Sequence, residues 1–318
     1  MTEAATPKKT KPATAAPATI TAYKGFDANW RCRGYQFEVG KTYHHDGPVK
    51  LCEAGFHACE APLDCLNYYS IIDGEFAAVE LSGVSDEREK DTKRVGSSIT
   101  IKAALNIAGL VSAQIEWCKQ NADKKSFAGG HSSTAASSGD SSTAASSGHF
   151  SKAASSGHSS TAASSGDSST AASSGHFSKA ASGGHSSTAA SSGDSSTAAS
   201  SGHFSKAASS GDSSTAASSG DSSTAASSGH SSTAASSGDS STAASSGDSS
   251  TAGCDTNGFA SVAGLAGRVR GGIGSALSLG YRDAQGRNRI AIGYVGENGI
   301  KPDTWYKADP KTGKLVEV

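Results

Sequence analysis

Residues 130–255 repeat a nine-residue unit fourteen times without an insertion, as GHSSTAASS, GDSSTAASS, GHFSKAASS and close variants. A fixed short period restricts the chain to architectures that stack copies of one small unit. Position 1 of the unit is Gly, position 2 His or Asp, position 3 Ser or Phe, position 4 Ser and position 5 Thr or Lys. Positions 6 and 7 are Ala and positions 8 and 9 Ser; Gly183, Gly253, Cys254 and Asp255 are the departures. Positions 4 and 6 never carry anything larger than Ser, whereas positions 3 and 5 accept Phe150 and Lys152. In a strand, alternate residues face opposite ways, so positions 4 and 6 are expected to fill a narrow interior. The glycine falls where the chain must turn, since positive φ costs it nothing. These features predict a thin parallel β-solenoid, each coil covering the strand edges of the last.

Two other states compete. A helix is disfavoured by a glycine every nine residues, by the many Ser and Thr, and by the lack of a 3.6-residue apolar stripe. Disorder suits a composition almost without large side chains, but a disordered linker needs no strict register. Coil size is set less directly. Phe150, Phe177 and Phe204 recur every 27 residues, as do Lys152, Lys179 and Lys206. Three units per coil would stack them on one face, and two would alternate them between faces. So small an interior favours two closely apposed sheets, hence two units and 18 residues per coil. The six Phe and Lys residues are then a candidate interaction surface.

The flanks hold most large apolar residues, so any ordinary core lies there. The expected organisation is a flexible tail at 1–20, an α+β domain at 21–129, the nonapeptide solenoid at 130–255 and a C-terminal cap at 256–318. The fold class is mostly β: a parallel β-solenoid with a small α+β N-terminal domain and a β-rich C-terminal cap. Residues 1–20 lack the apolar block of a secretory signal, and no apolar run approaches eighteen residues, so no membrane span is expected. A net charge of −1 disfavours nucleic acid as an electrostatic partner. Without a secretory signal, the six cysteines read as reduced thiols.

In the N-terminal part, strands are expected at 22–26, 34–39, 49–52, 76–81 and 98–102, with a turn at 43–47. Pro62 opens a short helical stretch, 85–94 reads as an exposed charged loop, and apolar spacing predicts a helix over 104–120. Cys52, His57, Cys59 and Cys65 form its densest chemical cluster. Their spacing fits no standard zinc site, so packing is the favoured role. His57 and Cys59 would share a strand face, but a nucleophilic pair also needs an orienting third group that the spacing does not supply. No catalytic, cofactor-binding or metal-ligating residue is assigned. After the array, Phe259, Val262, Leu265, Val269, Ile273, Leu277 and Leu279 are expected to continue and close the solenoid. The glycines at 264–274 lack the strand–turn–helix setting of a phosphate loop. A strand is expected at 289–295, and 304–307 and 314–318 flank a turn. The N-terminal part is expected to pack on the first coils.

The segment YKGFDANWRCRGYQFEVGKTYHHDGPVKLCEAGFHACEAPLDCLNYY resembles the N-terminal module of uncharacterised phage and prophage proteins. These commonly carry Ser/Ala/Gly nonapeptide arrays followed by a segment like GRNRIAIGYVGENGIKPDTWYK. The matching signatures are Tyr23-Lys24-Gly25-Phe26, Arg33-Gly34, Gly55-Phe56-His57-Ala58-Cys59 and Pro302-Asp303-Thr304-Trp305-Tyr306. The resemblance implies a phage or prophage origin, and with it the host cytoplasm or a virion as location; it brings no activity. The array also loosely resembles the β-roll heads of trimeric bacterial adhesins, whose repeat is longer. The favoured function is a non-enzymatic structural or protein-interaction protein, its solenoid a rigid spacer or repetitive docking face for a protein partner, with homo-oligomers an option. An enzyme or small-molecule binder in the N-terminal domain is the first alternative, requiring a concave site near His57, Cys59, Arg31 and Arg33. Binding to ice or glycan through aligned threonines is the second.

Overall fold

The structure, a computed structural model, describes residues 19–87, 92–122 and 127–318. The tail expected at 1–20 therefore lies almost wholly outside the described residues. The array is a parallel β-solenoid in which each unit contributes one five-residue strand at positions 5–9, except the last, which ends at Cys254. Strands pair with those eighteen residues away, Thr143 opposite Thr161 and Lys152 opposite Thr170. Two units thus complete a coil, and successive units alternate between two sheets. Among the described residues, these sheets have ten and eleven strands.

The interior explains the composition. Position 6 alanines form its central columns and are 0–2% exposed. Positions 4 and 8 flank them, so the sequence expectation for positions 4 and 6 gains a third inward position. Strand alternation requires it, but residue size does not single it out, because Ser fills both position 8 and the outward position 9. Inward serines find backbone acceptors across the coil: Ser160 Oγ donates to the Ser174 carbonyl at 3.0 Å and Ser173 Oγ to the Ser160 carbonyl at 3.0 Å. Most inward hydroxyls are thus satisfied within the narrow interior, Ser200, Ser223 and Ser241 being the exceptions among the described residues. The position 1 glycines have φ between +113° and +138°, and from Gly148 onward an added Cβ would strike the carbonyl of the glycine one coil earlier. Both facts require glycine. With no room beside the alanine column, Ala162→Leu should cost about 1–3 kcal/mol by overpacking, whereas Ala172→Leu, on an outer face, should be nearly neutral. Urea denaturation of the two variants checks this.

Beyond Cys254 the coil shortens to seventeen residues, with Thr242 opposite Phe259 and Phe259 opposite Ala276. Val262, Val269, Leu277 and Leu279 replace the small core. Antiparallel strands then close both sheets: Asn288–Tyr294 on Ala276–Arg282, and Tyr306–Ala308 on Arg268–Gly271, followed by Leu315–Glu317. Pairing these edges removes the unsatisfied N–H and C=O groups of a terminal coil.

The N-terminal region, here called the head, has seven strands among its described residues: β1 (Thr19–Phe26), β2 (Arg31–Cys32), β3 (Tyr35–Gln36), β4 (Thr42–His44), β5 (Phe56–Cys59), β6 (Glu75–Val84) and β7 (Lys93–Leu105). The sheet runs β4-β7-β5-β1-β6, and β7 also pairs with β6, so it closes on itself around Phe26, Leu81, Ile99 and Ile101. A 3₁₀ turn at Pro62–Asn67 and helix α1 (Ile107–Asn121) lie outside it, with Asn106 capping α1 through the Gly109 N–H. The strand expected at 34–39 shrinks to the β2–β3 hairpin, because Gly34 and Gly40 take positive φ. That expected at 49–52 is a turn with Cys52 at φ 65°, and the turn expected at 43–47 begins as strand β4. Of the loop expected at 85–94, Lys93 and Arg94 belong to β7, Arg94 being buried against Glu60 at 2.8 Å. Residues 88–91 lie outside the described residues.

The head packs on the first coils, as expected, but extends well beyond them. It lies along the eleven-stranded sheet, where α1 crosses the strands from Thr143–Ser147 to Thr215–Ser219. Leu110, Val111, Ile115 and Cys118 share a core with the position 7 alanines of that sheet, Ala145, Ala163, Ala181, Ala199, Ala217 and Ala235. Alternate units thus present a continuous alanine column that a helix can lie across, which end-packing could not exploit. The array's departures mark the attachment. A Cβ on Gly183 would lie 3.0 Å from Ile115 Cδ1, and one on Gly253 2.9 Å from Ile72 Cγ2.

Candidate functional site

Three places in the molecule concentrate chemistry. The first is the head–solenoid joint. Lys179 projects from the covered sheet to Asp64 in the 3₁₀ turn, Nζ to Oδ1 2.5 Å, with side chains 12% and 2% exposed. Asp64 Oδ2 also accepts the Thr92 N–H at 2.9 Å and hydroxyl at 2.6 Å. Burial pushes the Asp64 carboxyl up, but the Lys179 charge and these hydrogen bonds outweigh it and hold it below the usual range. Nearby, Gln114 accepts the Leu63 N–H at 3.0 Å, and burial pushes the Cys118 thiol up to about 12. A second clamp joins head to cap: Asp73 Oδ1 accepts from Arg270 at 2.7 Å and from Trp305 Nε1 at 2.9 Å, while Arg268 and Arg270 lie over the Trp305 ring. Lys179 and Trp305 are thus joint residues.

The second place is the free face of the array, the outer side of the ten-stranded sheet. Its position 5 column reads Thr134, Lys152, Thr170, Thr188, Lys206, Thr224 and Thr242. Its position 7 alanines are exposed or half-buried where those of the other sheet are buried. The threonines alternate between the two sheets, and lysines interrupt the free column, which disfavours an ice- or glycan-binding plane. Phe150, Phe177 and Phe204 stand at turns, each packed on the imidazole of its own unit, as in Phe150 on His149 at 4.5 Å. Those imidazoles stack on the His one coil earlier and reach Asp one coil later: His131–His149 at 5.3 Å, then His149–Asp167 at 2.8 Å. The same ladder recurs at His158–His176–Asp194 on the opposite edge and at His185–His203–Asp221. A 27-residue variation laid on an 18-residue coil produces this staggering. At the cap the free face ends in Ile290, Ile292 and Tyr294, which are 68%, 62% and 53% exposed.

The third place is a cavity of about 450 Å³ in the head. It gathers Cys52, His57, Cys59 and Cys65 with Arg33, but not Arg31, and adds Lys24, His45, Lys93 and the rings of Tyr23, Tyr35, Phe37, Phe56, Tyr68 and Tyr69. His57 Nε2 accepts the Cys52 N–H at 2.8 Å, and Cys59 and Cys65 are buried. Cys32 Sγ and the Tyr69 hydroxyl are 2.9 Å apart. Burial, then the Cys32 hydrogen bond, push the Tyr69 phenol up; burial, then Cys65 and Glu116, do so for Tyr23. Among the described residues, no three His, Cys, Asp or Glu side chains form a group able to hold a metal ion.

Sequence reasoning missed Lys24, Asp64, Asp73, Trp305 and the Ile290–Tyr294 row as a surface. The row had a visible signal, since IAIGY places apolar residues on both faces of one strand. Lys24, inside the otherwise apolar AYKGF strand, had one too. Asp64 and Asp73 had none. A family model described as a domain of unknown function (DUF7666) matches residues 20–113, which span β1 to the first half of α1. No curated protein and no solved structure matches the chain.

Proposed function

We propose that this is a non-enzymatic scaffold of phage or prophage origin, in which the solenoid is a stiff arm and its uncovered sheet docks a protein partner. The observation that supports this reading is the inequality of the two sheets. One is sealed by the head; the other exposes small side chains along its whole length and ends in Ile290, Ile292 and Tyr294. A contiguous exposed apolar row beside a flat face is the usual mark of a protein-binding surface. The phage or prophage origin rests on the resemblance of the YKGF, GFHAC and PDTWYK segments. Among the described residues no helix is long and apolar enough to cross a membrane.

Ile290→Arg with Ile292→Arg tests the docking. Both side chains are exposed, so the thermal midpoint should hold. Wild type should co-sediment with particles released from producing cells, or with a host complex, and the double variant should not. Identical sedimentation of both as the free chain would remove the docking reading.

A further inference from the structure

We propose that the head cavity is a binding site for a small organic anion carrying a flat ring, with the Lys24 ammonium as its counter-ion. Lys24 is 6% exposed and lines the cavity. Its Nζ donates to the His57 carbonyl at 3.0 Å and stands 5.4 Å from the Phe26 ring centroid, 5.9 Å from Phe37 and 6.0 Å from Tyr69. One carbonyl accepts one of three N–H donors, and among the described residues no carboxylate pairs with the charge. An ammonium taken out of water with one acceptor and three ring faces is a costly arrangement on its own. Its cost is offset when an anion enters.

The walls agree with that charge. Arg33 stands at the mouth, also without a carboxylate partner among the described residues. Glu53, the carboxylate on the wall, is held by Lys50 at 2.7 Å. Tyr23 and Tyr69 add polar hydroxyls to an otherwise aromatic wall. Tyr35, Phe56 and Tyr68 supply faces and edges for a planar ring. The volume, about 450 Å³, lies within the range of small-molecule sites. This site is separate from the docking face and stands or falls without it.

The probe is 8-anilino-1-naphthalenesulfonate, a flat aromatic anion, set against its uncharged counterpart N-phenyl-1-naphthylamine. Titrations use the full chain, followed by probe fluorescence, with inorganic phosphate as a ring-free competitor. Expected is a saturable one-to-one complex with the sulfonate, tighter than with the neutral compound and only weakly displaced by phosphate. Lys24→Met should weaken the sulfonate about tenfold or more while leaving the neutral compound within about twofold. It should also hold or raise the thermal midpoint of the unliganded protein, whereas a lysine kept for packing alone would lower it. Arg33→Gln, an exposed change that spares folding, should weaken the sulfonate about threefold. Equal affinity for the charged and neutral probes, or unchanged sulfonate affinity in both variants, overturns the proposal.

Discussion

Lys179→Thr should destabilise the docked head by about 3–5 kcal/mol, the cost of leaving a buried carboxylate without its partner. Thr is the residue most units carry at position 5, so the exchange restores the consensus and spares the solenoid. Lys152→Thr and Lys206→Thr, the same exchange on the free face, should be neutral within about 0.5 kcal/mol. Denaturant unfolding followed through Trp117, which packs against the core shared by head and solenoid, separates these outcomes. The effect should depend on pH in a defined direction. Because the folded-state Asp64 pKa is depressed, its pairing stabilises fully above the ordinary carboxylate value and is lost as pH falls through the lower folded value. The deficit of Lys179→Thr should therefore be greatest near neutrality and shrink on acidification. A deficit unchanged between pH 7 and the acid limb would show that Lys179 acts by packing instead.

Deleting half a coil should do more damage than deleting a whole one. Removal of residues 220–228, one unit, sends every later strand to the opposite sheet. Gly253, Arg270 and Trp305 then face away from Ile72 and Asp73, and the second clamp is lost. The missing packing and ion pair amount to on the order of 3–6 kcal/mol. Removal of 220–237, two units, keeps every strand on its side but draws the cap in by about 4.8 Å. Arg270 would then stand one layer early, where Gly253 admits Ile72. Limited proteolysis should release the head readily from the first variant, slowly from the second and not from wild type. Equal resistance of both deletions would mean that the cap clamp contributes nothing.

The array was legible because every unit states the same constraint: a residue that must be small fourteen times over lies where there is no space. The eighteen-residue coil was less so, since Phe150 and Lys152 vary with a different period from the one that stacks. The joint was nearly invisible. Lys179 reads like Lys152 and Lys206 until coil parity assigns it to the other sheet, and Gly183 and Gly253 read as simple lapses in a repeat. Each acquires meaning only from Ile115, Ile72 and Asp64, which lie far away in sequence and whose approach follows no local pattern. The cluster at Cys52, His57, Cys59 and Cys65 is legible by residue type, but the buried charge of its cavity is Lys24, which a strand pattern does not distinguish from its neighbours.

Each coil touches the one made just before it, so the array is assembled from contacts only eighteen residues apart although its strands are parallel. Parallel sheets ordinarily fold slowly, waiting on distant segments. Here the head precedes the array and leaves the ribosome before it, and α1 carries Leu110, Val111 and Ile115 as an apolar strip ready to receive the alanines of alternate units. Synthesis and stacking therefore run in the same direction: the helix serves as the bed on which the layers from Thr143–Ser147 to Thr215–Ser219 are laid. The cap, made after the array, closes the growing edge and is fastened back to the head through Ile72 and Asp73.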